Sequence, residues 1–146
     1  MPAWAARDVS STDLQTLKNV WVVLPGFGSY HLRNGRYESP SGRFRISLFL
    51  HPGVIAVQAN RAAVLSSVLE RQPRPIVFLS LFTRVPGGFF RNDASVVIGR
   101  GSRPLAVTLH GPRIRVSVIN PGGRQSTYIF HVRGQRLFAA ATRHAQ

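Results

Sequence analysis

The chain has 146 residues, 19 basic side chains against five acids, a formal net charge of +14 and no cysteine. That length fits one domain with a core of its own, the missing cysteines exclude disulfides and thiolate metal sites, and 44% hydrophobic residues argue against disorder. Every basic residue except Lys18 is arginine. GC-rich coding would also favour arginine over lysine, but it leaves the shortage of acids unexplained. A surface this cationic attracts polyanions: nucleic acid, anionic headgroups, acidic polysaccharide or an acidic protein.

Residues 1–12 read as a polar lead-in with no apolar leader segment, which points to a protein kept inside the cell or to a mature form. Ser10 or Ser11 can cap a short helix running to Lys18, with Asp13 in its first turn and Leu14 and Leu17 inward. Val20–Leu24 is a short strand stopped by Pro25-Gly26. Asn34-Gly35 suits the positive φ angles of a two-residue hairpin turn between Tyr30–Arg33 and Arg36-Tyr37. After Ser39–Gly42, the stretch Arg43–Leu50 alternates: Phe44, Ile46, Leu48 and Leu50 on one face, Arg43, Arg45, Ser47 and Phe49 on the other. His51-Pro52-Gly53 breaks it and Val54–Val57 resumes.

Ala62–Leu69 satisfies two templates. Val64, Leu65, Val68 and Leu69 have helical spacing, yet the run also reads as a buried strand. Glu70–Pro75 is a proline-held turn, and Ile76–Phe82, apolar on both faces, reads as a central strand. Pro86-Gly87-Gly88 reads as a loop, followed by Phe89–Asp93, with Phe89-Phe90 as an aromatic loop. Three strands follow between Val96 and Ile119, separated by Gly99–Pro104 and His110–Arg113. Asn120–Gln125 reads as a flexible loop, Ser126–Val132 and Gln135–Ala139 as a hairpin around Arg133-Gly134, and the tail from Ala140 as frayed. No apolar run approaches the ~20 residues of a membrane-spanning helix.

Short strands punctuated by glycine and proline predict one all-β domain over residues 1–146, an antiparallel sandwich or partly open barrel with a short N-terminal helix. The predicted core is Val22, Leu32, Phe44, Ile46, Leu48, Val57, Val77, Leu79, Leu81, Val97, Val107, Leu109, Val116, Val118, Ile129 and Phe130.

Several short motifs carry a resemblance over about residues 17–139. They are Leu17-Lys18-Asn19, Leu32-Arg33-Asn34-Gly35-Arg36-Tyr37-Glu38, the Ile55–Leu69 block, Ile76–Leu81, Val96-Val97-Ile98-Gly99, His110-Gly111, Thr127-Tyr128 and Gly134-Gln135-Arg136-Leu137. Together they resemble a small β-rich domain of bacterial secreted proteins and lipoproteins that has no assigned activity. The resemblance implies a strand at Ala62–Leu69 and a place outside the cytoplasm. Members typically carry cysteines and an acidic turn able to hold calcium. This chain has Gln58-Ala59-Asn60-Arg61-Ala62 at that turn, without a carboxylate, so no calcium is expected there.

Catalytic chemistry has little to work with. The acids are Asp8, Asp13, Glu38, Glu70 and Asp93, and any dyad would have to be assembled by the fold. The histidines, His31, His51, His110, His131 and His144, show no metal-helix spacing, and no nucleophile elbow is present. A hydrolase would need His110 or His131 gathered with an acid in one pocket. Gly99-Arg100-Gly101 and Pro86-Gly87-Gly88 are explained by strand turns rather than by a phosphate loop, since no helix follows either. No metal or other cofactor is expected.

The arginines carry the functional lean. Arg100, Arg103, Arg113 and Arg115 cluster in one region, Arg84 and Arg91 flank the aromatic pair Phe89 and Phe90, and Arg43 and Arg45 share a strand face. Guanidinium groups pair bidentately with carboxylate and phosphate and stack on aromatic rings. Phe89 and Phe90 fit either a stacking platform for single-stranded nucleic acid or a buried or interface patch. The expectation is a non-enzymatic binding or accessory protein that docks an arginine-rich face onto an acidic partner, as a subunit of a larger assembly. The alternative is a nucleic-acid-binding β-barrel protein, and a solvated, merely compositional cationic surface is the plain reading.

Overall fold

The computed structural model describes residues 19–24, 28–33, 36–38, 45–47, 54–68, 74–87 and 90–144. The fold is all-β, with no helix among these residues. The short helix expected up to Lys18 lies outside them. The strands are β1 (Asn19–Leu24), β2 (Gly28–Arg33), β3 (Arg36–Glu38), β4 (Arg45–Ser47), β5 (Ile55–Gln58), β6 (Arg61–Val68), β7 (Ile76–Arg84), β8 (Phe90–Arg100), β9 (Arg103–His110), β10 (Arg113–Ile119), β11 (Gln125–Arg133) and β12 (Arg136–His144). They pair antiparallel in the orders β1-β2-β3-β4, β5-β6-β7-β8 and β12-β11-β10-β9. None of the three ladders closes on itself, so the architecture is one of open sheets rather than a barrel.

The β5–β8 and β9–β12 sheets face each other across one core. Val54, Ala56, Ala63, Leu65, Val77, Leu79, Leu81 and Ile98 come from one side, and Val107, Leu109, Ile114, Val116, Val118, Phe130 and Val132 from the other. These positions alternate along each strand, as a pleat with one face turned inward requires. The β5–β8 sheet also buries its opposite face: Val57, Ala62, Val64, Phe78 and Phe82 are fully inaccessible. That is why Ile76–Phe82 is apolar at successive positions, and β7 takes the central place expected of it, between β6 and β8. Val22 and Leu24 of β1 are also buried. Beside β1, Asn92 of β8 accepts the Val23 N–H through Oδ1 at 3.1 Å.

The hairpin turns fix the registers. Gln58 pairs with Arg61 and Arg133 with Arg136, so two-residue turns, Ala59-Asn60 and Gly134-Gln135, close these hairpins. Gly134 has φ +58, a conformation that L side chains rarely adopt. The β8–β9 corner needs glycine for a second reason. Gly101 has φ +75, its N–H donates to the Pro75 carbonyl at 2.7 Å, and a Cβ there would meet Pro121 Cγ at 3.3 Å.

Several expectations are corrected. Ala62–Leu69, the stretch left open between helix and strand, is a strand in its described part, as the resemblance implied: β6 runs over Arg61–Val68 and packs against β7 along its whole length, because buried pairing is available on both of its sides. Phe90 is not loop but the first residue of β8, which pairs with β7 from Arg84 back to Phe82. Val97 is not core; it is 42% exposed, while Ile98 is buried. The first of two register shifts along β7–β8 causes this. Val77 opposes Gly99 and Phe78 opposes Val97, which leaves Ile98 as an extra residue turned inward.

Asn120–Gln125 is a tied turn rather than a flexible loop. The Asn120 N–H donates to the Arg124 carbonyl at 2.7 Å, Asn120 Oδ1 accepts from Ser102 at 2.8 Å, and its Nδ2 donates to Ser126 at 2.6 Å. The segment from Ala140 does not fray at once, since β12 continues to His144 against β11. The other predicted core positions, Val57, Val77, Leu79, Leu81, Val107, Leu109, Val116, Val118, Ile129 and Phe130, are buried with Val22. For Leu32, Phe44, Ile46 and Leu48 the side chains lie outside the described set.

Candidate docking face

The face of the β9–β12 sheet turned away from the core collects the arginines. Register alone places them. His110 opposes Arg113, Arg113 opposes His131, and His131 opposes Phe138, making one row across four strands. The next row is Thr108, Arg115, Ile129 and Ala141, and the one beyond it Ala106, Ser117, Thr127 and Arg143. Arg133 and Arg136 flank the β11–β12 turn, and Arg103 opposes Ile119 at the far end. Arg103, Arg113, Arg115, Arg133 and Arg136 are all exposed. Inward-facing apolar residues at Ile114, Val116, Phe130 and Val132 dictate this outcome, because alternation forces Arg113, Arg115, His131 and Arg133 outward.

Among the described residues no acid stands on this face. From residue 54 onward the acids are Glu70 and Asp93, and Asp93 is consumed by the fold. Its carboxylate, with a side chain 0% exposed, accepts from the Thr83 hydroxyl and from Arg91 Nε at 2.8 Å. It occupies the second register shift of β8, between Asn92 and Ala94. Like charges directly opposite in a sheet repel, and the Arg133–Arg136 pair has that placement. An external anion is the ready source of relief.

The arginines singled out in the sequence divide accordingly. Arg103, Arg113 and Arg115 are brought onto one face, and exposed Arg100 sits beside them at the β8–β9 corner. Arg84 and Arg91 belong to the other sheet and serve it. Arg84 lies over the Phe90 ring at 4.9 Å from the centroid, and Arg91 pairs with Asp93. Arg45 is in β4, and Arg43 and Phe89 lie outside the described residues. Phe90 is 4% exposed, which removes it from any stacking platform and makes it core.

Arg133, Arg136 and Phe138 were not among the sequence candidates. With the turn placed one residue early, at Arg133-Gly134, the two arginines do not flank it. The alternation Ile129, His131, Arg133 was the available signal. Phe138 is 43% exposed, and the Arg133 guanidinium lies 5.7 Å from its ring centroid, within cation–π range. His131, Arg133, Phe138, Ala139 and Ala140 line a shallow depression of about 310 Å³ beside this pair. His110 and His131 share a row, but no acid accompanies them among the described residues. Nor does any group of three or more His, Asp or Glu side chains with metal-holding geometry occur there. No described helix is long and apolar enough to cross a membrane. Comparison with protein-family models, curated proteins and solved structures finds no match to this chain.

Proposed function

We propose that the protein is a non-enzymatic docking module, an accessory subunit that binds an acidic protein through the outer face of its β9–β12 sheet. One observation carries this reading: Arg113, Arg115, Arg133 and Arg136 stand exposed on one sheet face with no acid beside them among the described residues. A sheet holds these charges at fixed spacing, so little ordering is needed when carboxylates arrive, and complementary charge speeds encounter. Nucleic acid is the poorer fit. A single-strand site interleaves aromatics along a groove, whereas this face is an open sheet on which Phe138 is the one exposed aromatic among the described residues.

The test compares binding to poly-L-glutamate and to mixed-sequence oligonucleotides across a salt series. Two triple variants remove the same charge: Arg113→Gln with Arg115→Gln and Arg136→Gln on the face, and Arg74→Gln with Arg100→Gln and Arg124→Gln away from its centre. The face variant is expected to lose at least fivefold more affinity for polyglutamate than the control. Equal losses would show generic charge and overturn the proposal. Oligonucleotide binding that outlasts polyglutamate binding at near-physiological salt would put nucleic acid first.

A further inference from the structure

The depression at the β11–β12 hairpin combines an anion receptor with an apolar wall, and its shape follows from the sequence. The ladder shifts register between Ile129 and Phe130: Phe130 opposes Ala139 and Ile129 opposes Ala141, leaving Ala140 without a cross-strand partner. The bulge falls in the run Ala139-Ala140-Ala141, where no side chain extends past Cβ. Space therefore opens beside Phe138, whose ring stands at one wall with the Arg133 guanidinium over it. His131, directly opposite Phe138, completes the lining. From beneath, Arg61 of the other sheet donates from Nη2 to the Gly134 carbonyl at 2.8 Å and holds the turn in place.

A solvent-exposed arginine alone would accept any carboxylate. This one is stacked on a half-exposed ring next to a hollow lined by Ala139 and Ala140. Resting on the docking function proposed above, we infer that this depression is the specificity site of the face. It seats an acidic peptide segment in which an aromatic residue neighbours a carboxylate. The carboxylate meets Arg133, with Arg136 across the hairpin, and the aromatic ring packs against Phe138 over Ala139 and Ala140. Charge complementarity selects the acidic segment, and the hollow selects its aromatic residue. The remaining arginines of the face add affinity without sequence preference.

The probes are two peptides of equal length and charge, one alternating Glu and Phe, the other alternating Glu and Ser, titrated against the full chain by fluorescence anisotropy. The Glu-Phe peptide is expected to bind about three- to tenfold more tightly, the range of one added aromatic contact. Phe138→Ser should erase that advantage. Ala140→Leu, which fills the hollow and keeps every charge, should erase it as well. Circular dichroism establishes that each variant retains its β signature. Equal affinity of the two peptides for the unaltered protein, or an advantage that survives both substitutions, overturns the inference and leaves the docking function standing. Failure of both peptides to bind overturns the docking function itself, and the inference falls with it.

Discussion

Arg61 and Gly134, 73 residues apart, are joined by a hydrogen bond of 2.8 Å from guanidinium Nη2 to the carbonyl oxygen. Gln58, paired with Arg61 across the β5–β6 hairpin, makes the companion contact: its Oε1 accepts the Gly111 N–H at 2.6 Å. One short hairpin thus grips both hairpin turns at one end of the β9–β12 sheet. Arg61→Met keeps the stem but removes the donor, and is expected to cost about 1–2 kcal/mol. Urea denaturation should show a lower midpoint at unchanged slope. Faster amide exchange at Gln135 and Arg136 would locate the loosening at the turn.

Asn92 ties β1 to the rest of the molecule. Its Nδ2 donates to the carbonyls of Leu81 and Ala94 at 3.1 and 3.2 Å, and its Oδ1 accepts from Val23. Asn92→Ala is expected to destabilise by about 1–3 kcal/mol, because partly buried backbone groups lose their partner. Hydrogen exchange should speed up most at Val23. Undiminished protection there would show that β1 is held by other means.

The bulge in β8 makes neighbouring aliphatic residues unequal. Val97→Thr, at an exposed position, should shift stability by no more than about 0.5 kcal/mol. Ile98→Thr puts a hydroxyl among Val77, Leu79 and Val116 and should cost about 2 kcal/mol or more. Thermal melts of the two variants distinguish the observed register from simple alternation, in which their effects would be reversed.

Arginines are not interchangeable here. Arg84→Met retains a side chain able to cover Phe90 and should leave polyglutamate affinity within about twofold. Arg115→Gln, in the middle of the exposed face, should weaken binding and reduce the dependence of log K on log salt by about one unit if it contacts one carboxylate, by analogy with phosphate contacts.

Gly101 and Gly134 both need positive φ, but only Gly101 is crowded, by Pro121 and Arg74. Gly134→Ala should cost about 1 kcal/mol from backbone strain alone. Gly101→Ala should cost more, because Pro121 must also give way. Equal denaturation midpoints would contradict the close approach at the β8–β9 corner.

Alternation and glycine–proline punctuation made the all-β class legible, because period-two burial is a local property of the chain. The central place of β7 was legible too, since a strand buried on both faces needs apolar residues at consecutive positions. Helix and strand could not be separated for Ala62–Leu69, where every residue is small or apolar and the deciding factor is pairing with β5 and β7. Inwardness at Val96–Ile98 was illegible for a related reason: three apolar residues in a row carry no parity, and bulges against β7 set it. The candidate docking face was half legible. Arg113 and Arg115, two residues apart, declare a common side. Arg133 and Arg136 join them only when the turn is placed at Gly134-Gln135, a one-residue difference that decides which side chains flank it.

Among the described residues β12 pairs only with β11, so one of its backbone edges faces outward. Such an edge invites a second sheet to add on. Here it is guarded by Arg136 and by the bulge at Ala140, and two copies approaching edge to edge bring like charge together. The guard is electrostatic, so it can be discharged. A long polyacid that spans two molecules would cancel the repulsion and let chains gather, while an excess would coat each one separately. Turbidity should therefore rise and then fall as polyacid is added, with its maximum near charge equivalence, and the same face proposed to select a partner would set the ratio at which this protein stays dispersed.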